Sequence, residues 1–246
     1  MKAGTPSVTV VLATHERRAL LERTLDALGA QTVPDFQVVV VDDGSTDGTW
    51  EWLEARSGET SFPRMTIARQ EKRGQGAARN LGIQSVDHDL VLFIGDDIIA
   101  APDFVAAHLA AHKEAQESRA VVGFTDWRRS EMRITPALEM VNLEGHQFGY
   151  AHMTPGGEVP FTCFYTSNLS VPRAVLGDQP FDSSFTAYGW EDVDLGYRLC
   201  RDGVRIFYHP EARAEHLHAM DLSSLFARQR QVGRGLHTLL ELHPEL

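Results

Sequence analysis

The sequence predicts an α/β fold, a mostly parallel central sheet flanked by helices, with a less regular, mixed second half. Three observations predict it. Aliphatic and β-branched runs near residues 8, 36 and 90 alternate with stretches of helical periodicity. The runs are apolar throughout rather than alternating, as expected of strands covered on both faces. Each then ends in polar residues, Thr14-His15-Glu16, Asp42-Asp43 and Asp96-Asp97. Open parallel sheets bind ligands outside those strand ends.

Taken in order, Val8 to Leu12 is the first strand, and Leu20, Leu21, Leu25 and Leu28 follow at helical spacing through residues 17–30. A second strand, Phe36 to Val41, stops at Asp42-Asp43-Gly44-Ser45, a turn signal. Thr46 or Asp47 is expected to cap the helix carrying Trp50 and Leu53. Met65 to Ala68 reads as a short strand, and Gly74 to Gln84 as a helix opened by glycine. Leu90 to Ile94 is a strand running into Gly95-Asp96-Asp97. Pro102 suits the first turn of a helix reaching about Glu117, and Ala120 to Phe124 is another strand.

Beyond that point the pattern weakens. Residues 125–160 show no sheet periodicity. Phe161 to Val171 reads as a strand closed by Pro172, Trp190 to Arg201 as a helix stopped by Asp202-Gly203, and Arg205 to Tyr208 as a last strand. Leu222 to Leu242 is weakly helical and interrupted by Gly233 and Gly235. No repeat or linker divides the chain, so one domain over 1–246 is expected, with halves at about 1–124 and 125–246.

The 246 residues are 43% hydrophobic and 23% charged, an ordinary globular composition. No apolar run approaches the roughly 18 residues that span a bilayer. Met1 to Pro6 lacks the apolar core of a secretion signal, and Cys163 and Cys200 form neither a disulfide framework nor a zinc spacing. A cytoplasmic protein with reduced thiols is the simplest expectation. A net charge of −11 argues against nucleic acid as partner. A phosphorylated small molecule remains compatible if a divalent cation stands between it and the acids.

Four groups of residues could carry chemistry. Asp96-Asp97 is either a solvated acidic turn or, if buried, a pair whose repulsion an oxygen-seeking divalent ion would relieve. Asp42-Asp43 is either turn chemistry or a carboxylate accepting from a base or ribose. Glu191, Asp192 and Asp194 form a third group, of which Glu191 and Asp192 suit a helix N-terminus electrostatically. Asp192 shares the inward face with Leu195 and Leu199 and is a candidate general base, whereas Asp194 can pair with Arg198 on the surface. His209, His216 and His218 could complete a metal site, the last two facing one side if they lie on a strand. Lys72-Arg73-Gly74-Gln75-Gly76 and Arg79 add a basic helix start suited to an anion, without the spacing of a P-loop or dinucleotide fingerprint.

Together these segments resemble family 2 glycosyltransferases. Val8 to Arg17 is similar to the family's opening strand and its Pro-Thr-Tyr-Asn-Arg end, and Val40 to Thr49 to its Val-Asp-Asp-Gly-Ser-x-Asp-x-Thr signature. Gly76 to Ile83 resembles the Ala-Arg-Asn-x-Gly helix. Phe93 to Asp97 resembles the metal-binding Leu-Asp-Asp-Asp stretch, and Trp190 to Leu195 the Glu-Asp-x-Asp-Leu motif. Ala13, His15, Glu16 and Gly95 depart from the family pattern. Gly95 stands where many members carry a first Asp, which leaves more of the metal duty to Asp97.

The resemblance implies a Rossmann-like GT-A fold with a nucleotide-sugar half and an acceptor half. It implies an inverting transfer from a nucleoside-diphosphate sugar to a glycan, lipid-linked or small-molecule acceptor, as in polysaccharide or glycoconjugate biosynthesis. Asp192 and Glu191 would be catalytic. Thr14, Glu16, Asp43, Gly74, Arg79 and Asp96 would hold the nucleotide, and Asp97 and His216 a Mn²⁺ or Mg²⁺ ion. The tail Arg228 to Gly235 lacks the Gln-x-x-Arg-Trp motif of processive synthases. Single addition is therefore expected, in the cytoplasm or at the inner membrane face, with peripheral membrane contact left open. The rival readings are a nucleotidyltransferase acting on sugar phosphates and a non-catalytic sugar-nucleotide-binding module.

Overall fold

A computed structural model describes residues 6–58, 64–113, 118–143, 148–218 and 220–246. Its elements are β1 (Val8–Thr14), α1 (Arg18–Gly29), β2 (Gln37–Asp42), α2 (Thr49–Ser57), β3 (Arg64–Arg69), α3 (Gln75–Ile83), β4 (Leu90–Ile94) and β5 (Ile98–Ala100). There follow α4 (Phe104–Lys113), β6 (Arg119–Trp127), α5 (Pro136–Leu143), β7 (Glu158–Val159), β8 (Asn168–Pro172), α6 (Glu191–Arg201), β9 (Arg205–His216) and α7 (Leu222–Leu242).

One sheet runs in the order β3-β2-β1-β4-β8-β6-β9-β5, with β7 paired to β9. The block β3-β2-β1-β4 is parallel. β8 then lies antiparallel to both β4 and β6, and β6 runs parallel to β9. The expected α/β fold is present, and its second half is mixed. Every residue of β2 and β4 is buried because both faces are covered. Alternate side chains divide between two cores. Val11, Val39, Val41 and Phe93 pack with Ala78 and Ile83 of α3 and Leu195 of α6. Val10, Leu12, Val38, Val40 and Leu92 pack with Leu21, Leu25 and Leu28 of α1 and Phe104 of α4. Burial of this kind contributes about 25 cal/mol per Å² of apolar surface, which is why the continuous runs form the sheet's centre.

Several expectations are corrected. Gly48, in the left-handed region at φ 84°, is the N-cap of α2. Asp47 caps from one position earlier, its Oδ1 accepting from the Thr49 N–H at 3.1 Å. α4 begins at Phe104, after a turn at Pro102, and the expected extension through residues 114–117 lies outside the described residues, as do residues 1–5. β6 continues to Trp127, and residues 125–160 also contain α5 and β7. Phe161–Cys163 is a 3₁₀ turn, so the strand begins only at Asn168.

β9 is 12 residues long because it pairs along its length with β6, β7 and β5. The register shifts between Gly123 and Phe124, which pair with His209 and Arg213, so Pro210 falls in the irregularity where a missing N–H is tolerated. Gly233 and Gly235 do not interrupt α7, which Asp221 and Ser224 open with a capping box. Among the described residues no helix is long and apolar enough to cross a membrane.

Candidate active site

The parallel strands β1, β2 and β4 deliver their ends to one edge, and the turn after β4 carries the acidic pair. Asp96 and Asp97 are 6% and 7% exposed, which excludes a solvated turn. Gly95 makes the fold-back of Asp97 feasible, since a Cβ there would stand 3.0 Å from Asp97 Oδ1. Asp96 Oδ2 accepts from the Thr14 hydroxyl at 2.8 Å, and Asp96 Oδ1 from Arg17 Nη1 at 3.2 Å. Asp97 Oδ2 accepts from the same Arg17 nitrogen at 2.8 Å and lies 3.2 Å from His216 Nε2 and 3.3 Å from His218 Nδ1.

These neighbours drive the two carboxyls apart. Burial, then the adjacent Asp97 charge, pushes Asp96 up to about 6. Burial acts upward on Asp97 too, but His216, a hydrogen bond from His218 and the Arg17 charge hold it well below the usual carboxylate range. The pair therefore keeps its negative charge on Asp97.

His216 is the last residue of β9 and pairs with Ile98, and the Leu217 N–H donates to the Asp97 carbonyl at 2.8 Å. The strand ends there, yet His218 also reaches Asp97. Trp127 stacks on His216 at 5.1 Å and 17°, fixing the imidazole plane. Ligand atoms of Asp97, His216 and His218 lie within 4.8 Å of one another, and His216 Nδ1 is buried without a hydrogen-bond partner. One carboxylate and two imidazoles suit a divalent transition-metal ion, so the residues fit a metal. His209 is not part of this group; its Nδ1 lies 3.5 Å from Glu211.

Glu16 occupies the left-handed region at φ 54°, and that bend aims Arg17 at the acids. The strained residue is anchored by its own groups: Oε1 accepts from the Thr46 N–H at 2.6 Å and its N–H donates to Ser45 Oγ at 2.9 Å. Asp43 closes the neighbouring loop. Its Oδ1 accepts from Gln70 Nε2 at 2.7 Å and the Arg73 N–H at 2.8 Å, and its Oδ2 from the Gly74 N–H at 2.8 Å. Beside it, Gly44, Arg69, Gln70, Glu71 and Lys72 line an open groove of about 530 Å³.

α6 brings in the remaining acids. Glu191 is buried and accepts from Arg79 Nη1 at 3.0 Å and Gln75 Nε2 at 2.5 Å, so Arg79 is spent on an internal ion pair. Asp194 is buried, not superficial. It pairs with Arg198 at 2.6 Å as the spacing suggested, and its other oxygen meets His243 Nε2 at 2.6 Å, tying α6 to the end of α7. Asp192 is the least buried of the three. Its Oδ2 lies 3.4 Å from both the N–H and the hydroxyl of Thr166. Burial, then the neighbouring Glu191 charge, pushes it up to about 7.

Three contributors escaped the sequence reading. Arg17 stood in plain view three residues beyond the end of β1, whereas Thr166 carried no signal. Tyr188 is 45% exposed, its hydroxyl accepts from Arg228 Nη2 at 2.7 Å, and it feels the charges of Asp97, Glu191 and Asp192. Trp127 and Tyr150, by contrast, are buried in the core.

Residues 9–169 match the family described as Glycosyl transferase family 2. Validoxylamine A glucosyltransferase from Streptomyces hygroscopicus subsp. jinggangensis is 34% identical over 274 residues, taking in 98% of this chain and 63% of the relative. The uncharacterized glycosyltransferase YfnE of Bacillus subtilis is 27% identical over 80% of this chain and 61% of its own length. The chain thus spans about three-fifths of the length of these curated relatives. Among solved structures, the mannosyltransferase PcManGT from Pyrobaculum calidifontis, in complex with GDP-Man and Mn²⁺, superposes with a TM-score of 0.69 at 20% identity. That match covers 99% of this chain and 65% of that one. S. aureus TarS 1-349 in complex with UDP-GlcNAc gives 0.65 at 19%, covering 89% and 61%. At such identities the likeness concerns the fold, which is GT-A. With a family match running from β1 into β8, and so through both carboxylate-bearing strand ends, the chain belongs to Glycosyl transferase family 2.

Proposed function

We propose that this chain transfers a sugar from a nucleoside-diphosphate sugar to an acceptor hydroxyl with inversion, assisted by a divalent cation. One observation carries the reading. Asp192 rests on Thr166, and the next residue, Ser167, accepts from the Gly95 N–H at 3.4 Å. The candidate base and the Asp96-Asp97 turn therefore sit on adjoining segments, at the strand ends where parallel sheets bind ligands.

In this reading the nucleoside lies along the ends of β1 and β2, by Thr14, Glu16, Asp43 and the Gly74 turn that Asp43 holds. Asp97, His216 and His218 would hold Mn²⁺ or Mg²⁺, with Asp96 behind them. When bound, the ion supplies positive charge against the charge developing on the leaving diphosphate. Asp192 accepts the acceptor's hydroxyl proton as that oxygen bonds to the sugar C1 and the C1–diphosphate bond breaks, its electron pair leaving with the nucleoside diphosphate. Glu191, locked to Arg79, sets the charge beside Asp192 and positions α3 against α6. The donor and metal of the PcManGT complex, the donor of the TarS complex and the name of the Streptomyces relative support a nucleotide-sugar donor and a metal-assisted glycosyl transfer.

Asp192→Asn tests the assignment. Transfer should fall by about 10²–10⁴-fold while calorimetry shows the donor binding much as before. Near-normal turnover would remove Asp192 from the chemistry. Release of pyrophosphate from a nucleoside triphosphate would favour a nucleotidyltransferase instead.

A further inference from the structure

Arg17 points beyond this reading, and the inference rests on the cation site proposed above. A single oxygen, Asp97 Oδ2, faces Arg17 Nη1 at 2.8 Å as well as His216 Nε2 at 3.2 Å and His218 Nδ1 at 3.3 Å. The same guanidinium nitrogen also reaches Asp96 Oδ1 at 3.2 Å. A guanidinium has only donors, so it can never share in ligating a cation. It takes up a lone pair of the carboxylate a cation would need, and its charge repels any cation arriving there.

The side chain is also built to leave. It is 37% exposed, against 9% and 10% for the two acids it touches. Its backbone is meanwhile pinned, since the Arg17 carbonyl accepts from the Leu20 and Leu21 N–H groups at 3.0 Å and Glu16 is anchored to Ser45 and Thr46. Movement is thus available to the guanidinium and not to the loop.

We propose that Arg17 is an internal counter-ion that competes with the divalent cation for Asp97, the cation entering by displacing the guanidinium into the cleft. A displaced guanidinium suits the diphosphate of the donor, which it can contact with two parallel N–H groups. Cation and donor then favour each other's binding, because each gives a partner to the group the other releases. The rival account makes Arg17 a fixed bracket that holds Asp97 in position for the ion. The two accounts predict opposite signs when Arg17 is removed.

The test uses the full chain and Mn²⁺ alone, with free ion followed by electron paramagnetic resonance. Arg17→Met is expected to bind Mn²⁺ about tenfold tighter than the unaltered protein, the size of a one-unit effect from a neighbouring charge. Equal or weaker binding overturns the competition. Asp97→Asn is the control. If it binds Mn²⁺ like the unaltered protein, the cation site itself is misassigned; if it loses Mn²⁺ while Arg17→Met gains nothing, only the role of Arg17 fails. A second measurement needs no variant. Phenylglyoxal labelling of Arg17, read by peptide mass mapping, should accelerate when Mn²⁺ is added, and an unchanged or slower rate counts against displacement.

Discussion

Asp192 lies beside Glu191, whose charge opposes ionisation, and within the field of Arg79, which favours it. Burial and Glu191 prevail, and the carboxyl is raised from 3.8 to about 7. A base must be ionised to accept a proton, so the sign of the pH dependence follows. Transfer measured as kcat/KM should rise about tenfold per pH unit below pH 7 and level off above it. Glu191→Gln removes the neighbouring negative charge, and the limb should then move to lower pH. A limb already at the ordinary carboxylate range in the unaltered enzyme would contradict the effect of burial. The same reasoning separates Asp96 from Asp97. Two adjacent acids diverge because one faces a hydroxyl and the other two imidazoles, a difference that resides in their neighbours.

At the scale of elements, close approach governs the nucleotide-side packing. α3 presses on the sheet through Gly82, where a Cβ would stand 2.9 Å from Val11 Cγ1 and 3.2 Å from Val41 Cγ2. Alanine is the better helix former by about 1 kcal/mol, so at an open position the change would stabilise. Here overpacking dominates, and Gly82→Ala should cost about 1–3 kcal/mol. Gly233 on α7 offers the contrast, with nothing within 4 Å of a built Cβ. Gly233→Ala should gain about 0.5–1 kcal/mol, and thermal melts of the two variants should move in opposite directions. The elements legible in the sequence were those with strong periodicity, namely β1, β2, β4, α1 and α6. β9 was read as a third of its length because Pro210 and the charged residues after it interrupt the apolar run, although pairing with β5 and β6 continues the strand. The two glycines of α7 suggested a break, but capping at Asp221 and packing at Gly235 carry the helix through.

For the molecule as a whole, two histidines between α4 and the sheet contribute to its response to acid. His108 is fully buried, bonding Ser170 Oγ at 2.8 Å and Asn168 Oδ1 at 2.9 Å, and His112 meets the same Ser170 oxygen at 2.8 Å. Burial lowers them from 6.5 to about 3 and about 4. The unfolded chain then binds protons that the folded chain refuses. The contribution of these two histidines to stability is complete above pH 6.5 and declines as pH falls toward those values, by up to about 1.4 kcal/mol per pH unit for each group. Asp96 and Asp192, raised by burial to about 6 and about 7, act in the opposite sense over the same range, because they stay protonated in the folded chain where the unfolded chain ionises them. The histidine effect is therefore read as a difference: between pH 6.5 and 4.5 His112→Gln should lose less melting temperature, or gain more, than the unaltered chain. An unchanged slope in His112→Gln would mean that this imidazole charges without unfolding the chain.

The sheet's parallel half, the strand ends that carry Thr14, Asp43 and Asp97, and the acidic start of α6 are all legible in the order of residues along the chain. Those are local consequences of continuous apolar runs and of turn residues at their ends. Tertiary structure decided the partners. Glu191 meets Arg79 across 112 positions and Tyr188 meets Arg228 across 40. His216 reaches Asp97 because β9 returns antiparallel to β5. Which carboxylate keeps its charge, which arginine is internal and which competes for the acids depend on through-space distances of a few ångströms. No spacing along the chain encodes those distances.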